Sequence, residues 1–263
     1  MKRISLALLL ASLVASAPAQ AVNGLCMIAS SHNSKHNTDN LDVMLRSSDC
    51  ATDDDGDHCS NSEHSGMDWS RWTGVSPQQL SQEGASLTAQ MTGDAGELRC
   101  SGTVHDGVLA GRYKFTPDSA YFSKMAAMGF TDISPRKFLG FLILNITIAW
   151  TQQMKDAGVT DLSTNKLMGL RALHVDLDYI HAMAAAGYPE LRANKLTSMK
   201  AVGVTPEKAK EARDLGFQPT ESQLEQMCIF KVDRAFVERM RAHGVKDLSL
   251  EKLIQVKIFK LDD

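Results

Sequence analysis

The chain has 263 residues, 28 Lys/Arg against 31 Asp/Glu, a formal net charge of −3 and five cysteines. Residues 22–117 hold 6 Lys/Arg against 13 Asp/Glu, and residues 118–263 hold 20 against 18. Neither part has the basic surplus that holds a protein on phosphate backbones, so nucleic acid is not expected as a partner.

The N-terminus reads as a secretory signal over residues 1–21. Lys2 and Arg3 form a positive n-region, Ile4 to Ala17 an apolar h-region, and Ala19-Gln20-Ala21 a small-x-small cleavage site. A membrane anchor needs about 20 apolar residues, more than this run supplies. The expected mature chain is exported, periplasmic or secreted, with no transmembrane span.

Export makes the cysteines candidates for disulfides. Cys26, Cys50, Cys59 and Cys100 lie in the acidic part, and Cys228 stands alone in the other. Their spacings do not form paired C-x-x-C zinc knuckles. The expected pairs are Cys50–Cys59, closing a short loop, and Cys26–Cys100, tying the N-terminus to a later hairpin. Cys228 is left free.

Residues 22–117 read as a small antiparallel β domain. Leu98, Cys100, Gly102 and Val104 alternate, as do Leu109, Gly111, Tyr113 and Phe115, around an Asp106-Gly107 turn. Leu87 to Met91 predicts a third strand, and Leu41 to Leu45 and Met67 to Trp72 two more, an antiparallel sheet that a partial barrel would accommodate. Between the early strands, residues 49–66 carry five Asp, one Glu and two His. Asp53, Asp55 and Asp57 are candidate ligands for a weakly held Ca²⁺. Gly56 stands in the wrong place for an EF-hand loop, however, and His64 occupies the position of its bidentate Glu. The competing reading is a solvated acidic loop closed by its own disulfide, with no cofactor.

Residues 118–263 repeat. MKDAGVTDLSTNKL at 154–167 returns as MRAHGVKDLSLEKL at 240–253, and Gly129, Gly158, Gly187, Gly216 and Gly244 are 29, 29, 29 and 28 residues apart. Such a period signals stacked supersecondary units. Eight residues before the glycine stand Tyr121, Trp150, Tyr179, Lys208 and Phe236; four before it, Met125, Met154, Met183, Ala212 and Met240. A step of four places both on one helical face, and the glycine ends that helix in the left-handed conformation. A second helix follows, with Phe138, Phe141 and Leu144 stepping by three in the first unit and equivalents in the rest. Ser134, Ser163 and Ser249 suit its N-cap, while Asp118, Thr147, Asp176, Thr205 and Asp233 suit the next first helix. The fourth unit departs from this pattern: Pro219 lies in a linker one residue shorter. The fold class is therefore α+β, a disulfide-stapled β domain followed by about five helical hairpins. Recurrence in register marks the Met and aromatic stripe as core rather than ligand contact. The apolar run FLGFLILNITIAW, residues 138–150, is too short to cross a membrane and is expected to be buried between two layers.

No H-E-x-x-H, G-x-S-x-G, phosphate-cradling glycine loop or dinucleotide fingerprint is present, and the eight histidines are scattered. His174 and His181 fall in or near repeat helices with no matching nucleophile. Cys228 occupies the slot held by Arg171, Lys200 and Lys257 in other units, which suits a spare thiol better than a nucleophile. Lys166, Lys195 and Lys252 each stand eight residues after the repeat glycine. They form a candidate basic row for an acidic protein partner or an anionic envelope surface.

The segment V-T-P-E-x-x-x-x-x-x-x-L-G-F, Val204 to Phe217, resembles a bacterial helical repeat. That repeat is found in exported proteins and in the C-terminal region of β-lactam-sensor-like membrane zinc peptidases. G-x-x-x-G-R-Y-x-F-T-P, Gly107 to Pro117, is similar to the β module that precedes those repeats. The resemblance spans roughly residues 41–263 and implies an extracytoplasmic sensing or interaction module. The peptidase motif is absent from this chain, so proteolysis is not implied. The leading expectation is a non-enzymatic interaction or sensing module. The alternatives are an envelope enzyme with its site at the domain junction, marked by a perturbed His or carboxylate cluster there, and a calcium-dependent structural protein.

Overall fold

The computed structural model describes residues 21–33, 38–47, 51–53, 56–58, 61–189, 192–244 and 249–260. Six strands, β1 (Val22–Asn33), β2 (Thr38–Ser47), β5 (Asn61–Met67), β6 (Ser86–Gly93), β7 (Gly96–His105) and β8 (Val108–Pro117), form one antiparallel sheet in the order β5-β2-β1-β8-β7-β6. The short strands β3 (Ala51–Asp53) and β4 (Gly56–His58) pair separately. Leaving β5, the chain passes a 3₁₀ turn at Trp69–Arg71 to the far side of the sheet. There Thr73 forms an antiparallel bridge with Gln90 of β6, and a short helix α1 (Pro77–Leu80) follows.

Period-two alternation directs Cys26, Ile28, Val43, Leu45, Met91, Leu98, Cys100 and Phe115 inward, where all are buried. The expected Cys26–Cys100 disulfide is present, with a Cα–Cα separation of 6.1 Å. It joins β1 to β7, two strands that flank β8. Strands two apart in a flat sheet lie about 9.5 Å from each other, so the sheet must bend sharply here. Gly102 and Gly111, paired across β7 and β8, allow the bend: a Cβ on either would lie 2.0 or 2.1 Å from a carbonyl oxygen of the neighbouring strand.

Two expectations for this region need correction. The strand expected at Met67 to Trp72 lies earlier, at Asn61–Met67, because Asp68 accepts a 2.7 Å bond from the Ser70 amide and turns the chain into the 3₁₀ segment. The longest strand, β1, was not foreseen, although Val22, Gly24, Cys26 and Ile28 alternate inward along it. Its alternation directly follows the continuous apolar run of the N-terminus, which hides it.

The helical part contains five hairpins among the described residues: α2 (Ser119–Ala127) with α3 (Pro135–Ile143), α4 (Ile148–Asp156) with α5 (Thr164–Ala172), α6 (Leu177–Ala185) with α7 (Ala193–Ala201), α8 (Pro206–Asp214) with α9 (Glu221–Ile229), and α10 (Arg234–Ala242) with α11 (Leu250–Ile258). Every helix has nine residues, too short to persist alone, so packing must hold it. A side-chain oxygen caps each N-terminus except that of α7, where Arg192 stands. The repeat glycines have positive φ, as expected. The second helices end the same way, but on Asn145, His174, Gly203, Lys231 and Lys260, with φ between 50° and 77°. Most of these are not glycine, which concealed the second stop. Wherever the residue after the stop is described, the stop is a Schellman turn, for example Phe130 N–H to Met125 O and Ile146 N–H to Phe141 O, both 2.9 Å.

The second helices stack as α3-α5-α7-α9-α11, and α3 also packs on β7 and β8. The apolar run therefore sits between sheet and array: Phe138, Leu139, Phe141, Leu142, Ile143, Ile146 and Trp150 are all buried. Tyr121, Met125, Met154, Tyr179, Met183 and Phe236 are buried as well, placing the repeating stripe in the core.

Candidate functional site

The C-terminus of α3 leaves its last carbonyls without intrahelical partners, and two guanidinium groups gather there. Arg71, carried by the 3₁₀ turn, donates through Nη2 to Leu142 O at 2.7 Å and through Nη1 to Ile143 O. Arg171 of α5 donates through Nε to Leu144 O at 3.0 Å and lies 5.3 Å from the centre of the Trp150 ring. Cations at a helix C-terminus are also favoured by the helix dipole.

The capping is periodic: Lys155 reaches Met128 O at 3.0 Å and Arg241 reaches Leu215 O at 2.7 Å, each from the following unit. Among the described residues Arg71 is the one such donor that comes from the β domain. Burial, followed by the charge of Arg171, pulls Arg71 below its usual pKa. Trp69 and Trp72, on either side of it, bury their indole N–H groups without a hydrogen-bond partner among the described residues.

Around this helix end opens a cleft of about 680 Å³. Glu63, His64 and Asp68 line it from the sheet side, Asn145, Arg171 and His174 from the array, and Arg71 lies between them. Asn145 and His174 both occupy the left-handed position that ends a second helix. Burial pushes the His64 imidazole below its ordinary pKa, so the ring is held neutral. Among the described residues no hydrogen bond joins His64 to Ser65, Asp68 or His174. The arrangement sets two cations, Arg71 and Arg171, against the carboxylates of Glu63 and Asp68, with the His64 imidazole on the sheet side and the Asn145 amide and His174 imidazole on the array side. The guanidinium donors suit hydrogen bonding with a polar ligand that carries a carboxylate or similar group.

The residues singled out from sequence are placed elsewhere. Lys166 pairs with Asp161. Lys195 lies 3.6 Å from Glu225 Oε2 and 3.1 Å from Ser222 Oγ. Lys252 is exposed, and its backbone amide bonds to the Ser249 cap at 3.3 Å. Lys137, one unit earlier in the same register, pairs with Asp132 at 2.6 Å. Carboxylates among the described residues thus accompany Lys137, Lys166 and Lys195, which reduces the outward field of the row. Cys50, Cys59 and Asp55 lie outside the described residues, as do the side chains of Asp53 and Asp57. Among the described residues no three His, Cys, Asp or Glu side chains converge as a metal site. Cys228 is free and half-buried.

Arg71, His64 and Asn145 were not found from sequence, and Arg171 and His174 were noticed only as repeat positions. One signal was available: His174 stands at the repeat position where Gly203 is found. No protein family, curated protein or solved structure matches this chain.

Proposed function

We propose that this protein is an exported, non-enzymatic interaction or sensing module of the bacterial envelope, and that its ligand is a polar segment bearing a carboxylate or similar anion. The observation that carries this reading is the junction cleft, in which Arg71 and Arg171 converge on one helix end from opposite parts of the fold. Each guanidinium has five N–H donors, and the bonds to the α3 carbonyls use only some of them. The resemblance of residues 107–117 and 204–217 to a sensor-associated module points the same way. Cleavage after Ala21 would leave Val22, the first residue of β1, at the new terminus. Among the described residues no helix is long and apolar enough to cross a membrane.

The test places a photo-crosslinking amino acid at Asn145 and irradiates cells. The expected result is a crosslinked partner that His174→Glu, which adds a negative charge to the cleft, releases. Capture unchanged in His174→Glu, with folding intact, overturns the cleft as the binding face. N-terminal sequencing of the exported protein is expected to begin at Val22.

One observation favours an envelope enzyme: His64, with its pKa pushed down by burial, lies in the junction cleft. Binding remains the preferred reading because His64 activates no hydroxyl or thiol among the described residues. Loss of a measured hydrolytic activity in His64→Gln would reverse this preference.

A further inference from the structure

The helical units share a buried ring site. In the first, the Tyr121 ring packs against Phe138 and Phe141, centroids 5.9 and 6.4 Å apart, and its hydroxyl donates to Ile146 O at 2.7 Å. In the third, the Tyr179 hydroxyl donates to Val204 O at 3.1 Å and Lys200 lies 4.3 Å from the ring centre. In the second and fifth, Arg171 covers Trp150 at 5.3 Å and Lys257 covers Phe236 at 4.3 Å. The plan recurs: a ring from the first helix, a cation from the second helix over its face in the second, third and fifth units, and, where the ring is a tyrosine, a backbone carbonyl that accepts from its hydroxyl.

The fourth unit exchanges two of these parts. Lys208 stands at the ring position and Cys228 at the cation position. The Lys208 ammonium turns aside to Gly203 O at 2.9 Å and the Cys228 sulfur at 3.7 Å. What remains is a cavity of about 180 Å³ lined by Lys208, Leu224, Met227, Cys228 and Val232. With the shorter linker allowed for, Leu224, Met227 and Val232 correspond to Phe138, Phe141 and Ile146, which enclose Tyr121. A dry cavity on the order of 150 Å³ is enough to admit benzene.

We infer that this cavity is a binding site for a phenolic ring, which supplies from outside the tyrosine that the fourth unit lacks. The ring would lie between Leu224 and Met227, with the Lys208 ammonium and the Cys228 sulfur at its face, both favourable neighbours of an aromatic ring. Its hydroxyl would donate to Val232 O, as Tyr121 and Tyr179 donate to the equivalent carbonyls. The lining sets Glu211 and Asp233 against Lys208 and Lys231, two charges of each sign, so a neutral phenol suits the site better than a strongly charged ligand. This site is separate from the junction cleft and does not depend on the reading given to it.

The test uses the full exported chain, with methyl NMR of Met227 as the readout and p-cresol as the probe. Met227 is expected to shift with a dissociation constant on the order of 1 mM or tighter. The methyl ether p-methylanisole, which cannot donate to Val232 O, is expected to bind about fivefold more weakly. Lys208→Tyr should place its own ring in the cavity, raise Tm and abolish the response. Alkylation of Cys228 in the wild-type chain should be slowed by p-cresol but not by cyclohexanol, a readout that does not rely on any variant folding. N-acetyltyrosinamide binding as p-cresol does would identify the occupant as a tyrosine side chain; binding of p-cresol alone would identify a free phenol. No Met227 shift at about ten times that concentration, or unaltered p-cresol binding in a folded Lys208→Tyr protein, overturns the inference.

Discussion

Arg71 donates a 2.7 Å hydrogen bond to the carbonyl oxygen of Leu142, fastening the segment that follows β5 to the end of α3. Arg71→Ala removes this bond and the one to Ile143 O, and of the two carbonyls only that of Leu142 keeps another donor among the described residues, the Asn145 amide at 3.0 Å. The expected loss is about 2–3 kcal/mol of unfolding free energy, measured by denaturant titration. Arg71→Lys should recover only part of it, because an ammonium lacks the fork that spans two carbonyls.

His64 is held neutral by burial, so its folded pKa lies below the ordinary 6.5. Above that pH both folded and unfolded chains carry neutral imidazole, and the stabilising contribution is complete. As pH falls below 6.5 the unfolded chain takes up the proton first and stability is lost, until the folded pKa is passed and the slope levels. Urea titrations over this range should show the decline, and His64→Gln should flatten it. Asp68 shares the cleft, and the hydrogen bond from the Ser70 amide holds its carboxyl below the ordinary carboxylate range, which separates its contribution from that of His64.

Cys26–Cys100 closes a loop with a sequence separation of 74. In the chain-entropy account a loop of this size stabilises by about 4 kcal/mol. Replacing both cysteines by alanine should lower Tm accordingly, and a reductant should lower the Tm of the wild-type chain by clearly more than that of the double variant, in which only the expected Cys50–Cys59 bridge is left to reduce.

His174 and Lys231 hold left-handed backbone, with φ of 52° and 55°. Glycine removes the Cβ clash at such a position, as Gly203 does in the third unit, so His174→Gly and Lys231→Gly should each gain about 0.5–1 kcal/mol. Differential scanning calorimetry measures this. His174→Ala, which keeps the Cβ, should show no comparable gain.

Short-range chemistry made the repeat visible from the sequence. A cap such as Asp118 bonds to the amide of Tyr121 three residues on, and a stop such as Gly129 acts within the same turn, so each signal lies inside one short window. The second stops were hidden because Asn145, His174 and Lys231 adopt the left-handed conformation without being glycine. Strand β1 was hidden because its alternation follows directly on an apolar run.

The candidate sites were far less legible. His64 and His174 are 110 residues apart and line one cleft from its two sides, where α3 docks on β7 and β8. The cavity at Lys208 was foreshadowed, since a lysine interrupts a column of aromatic residues, but an interrupted column does not reveal whether neighbouring side chains close the gap. By itself the sequence determined the hairpins, the caps and glycine stops of their first helices and the inward stripe, because caps, turns and periodicity act between near neighbours or through one recurring register. Only the tertiary structure decided the sheet order, the bend at Gly102 and Gly111, the convergence of Arg71 and Arg171, and the persistence of the fourth-unit cavity. These depend on how separately formed surfaces pack in three dimensions, where burial and close approach act between residues that are remote along the chain.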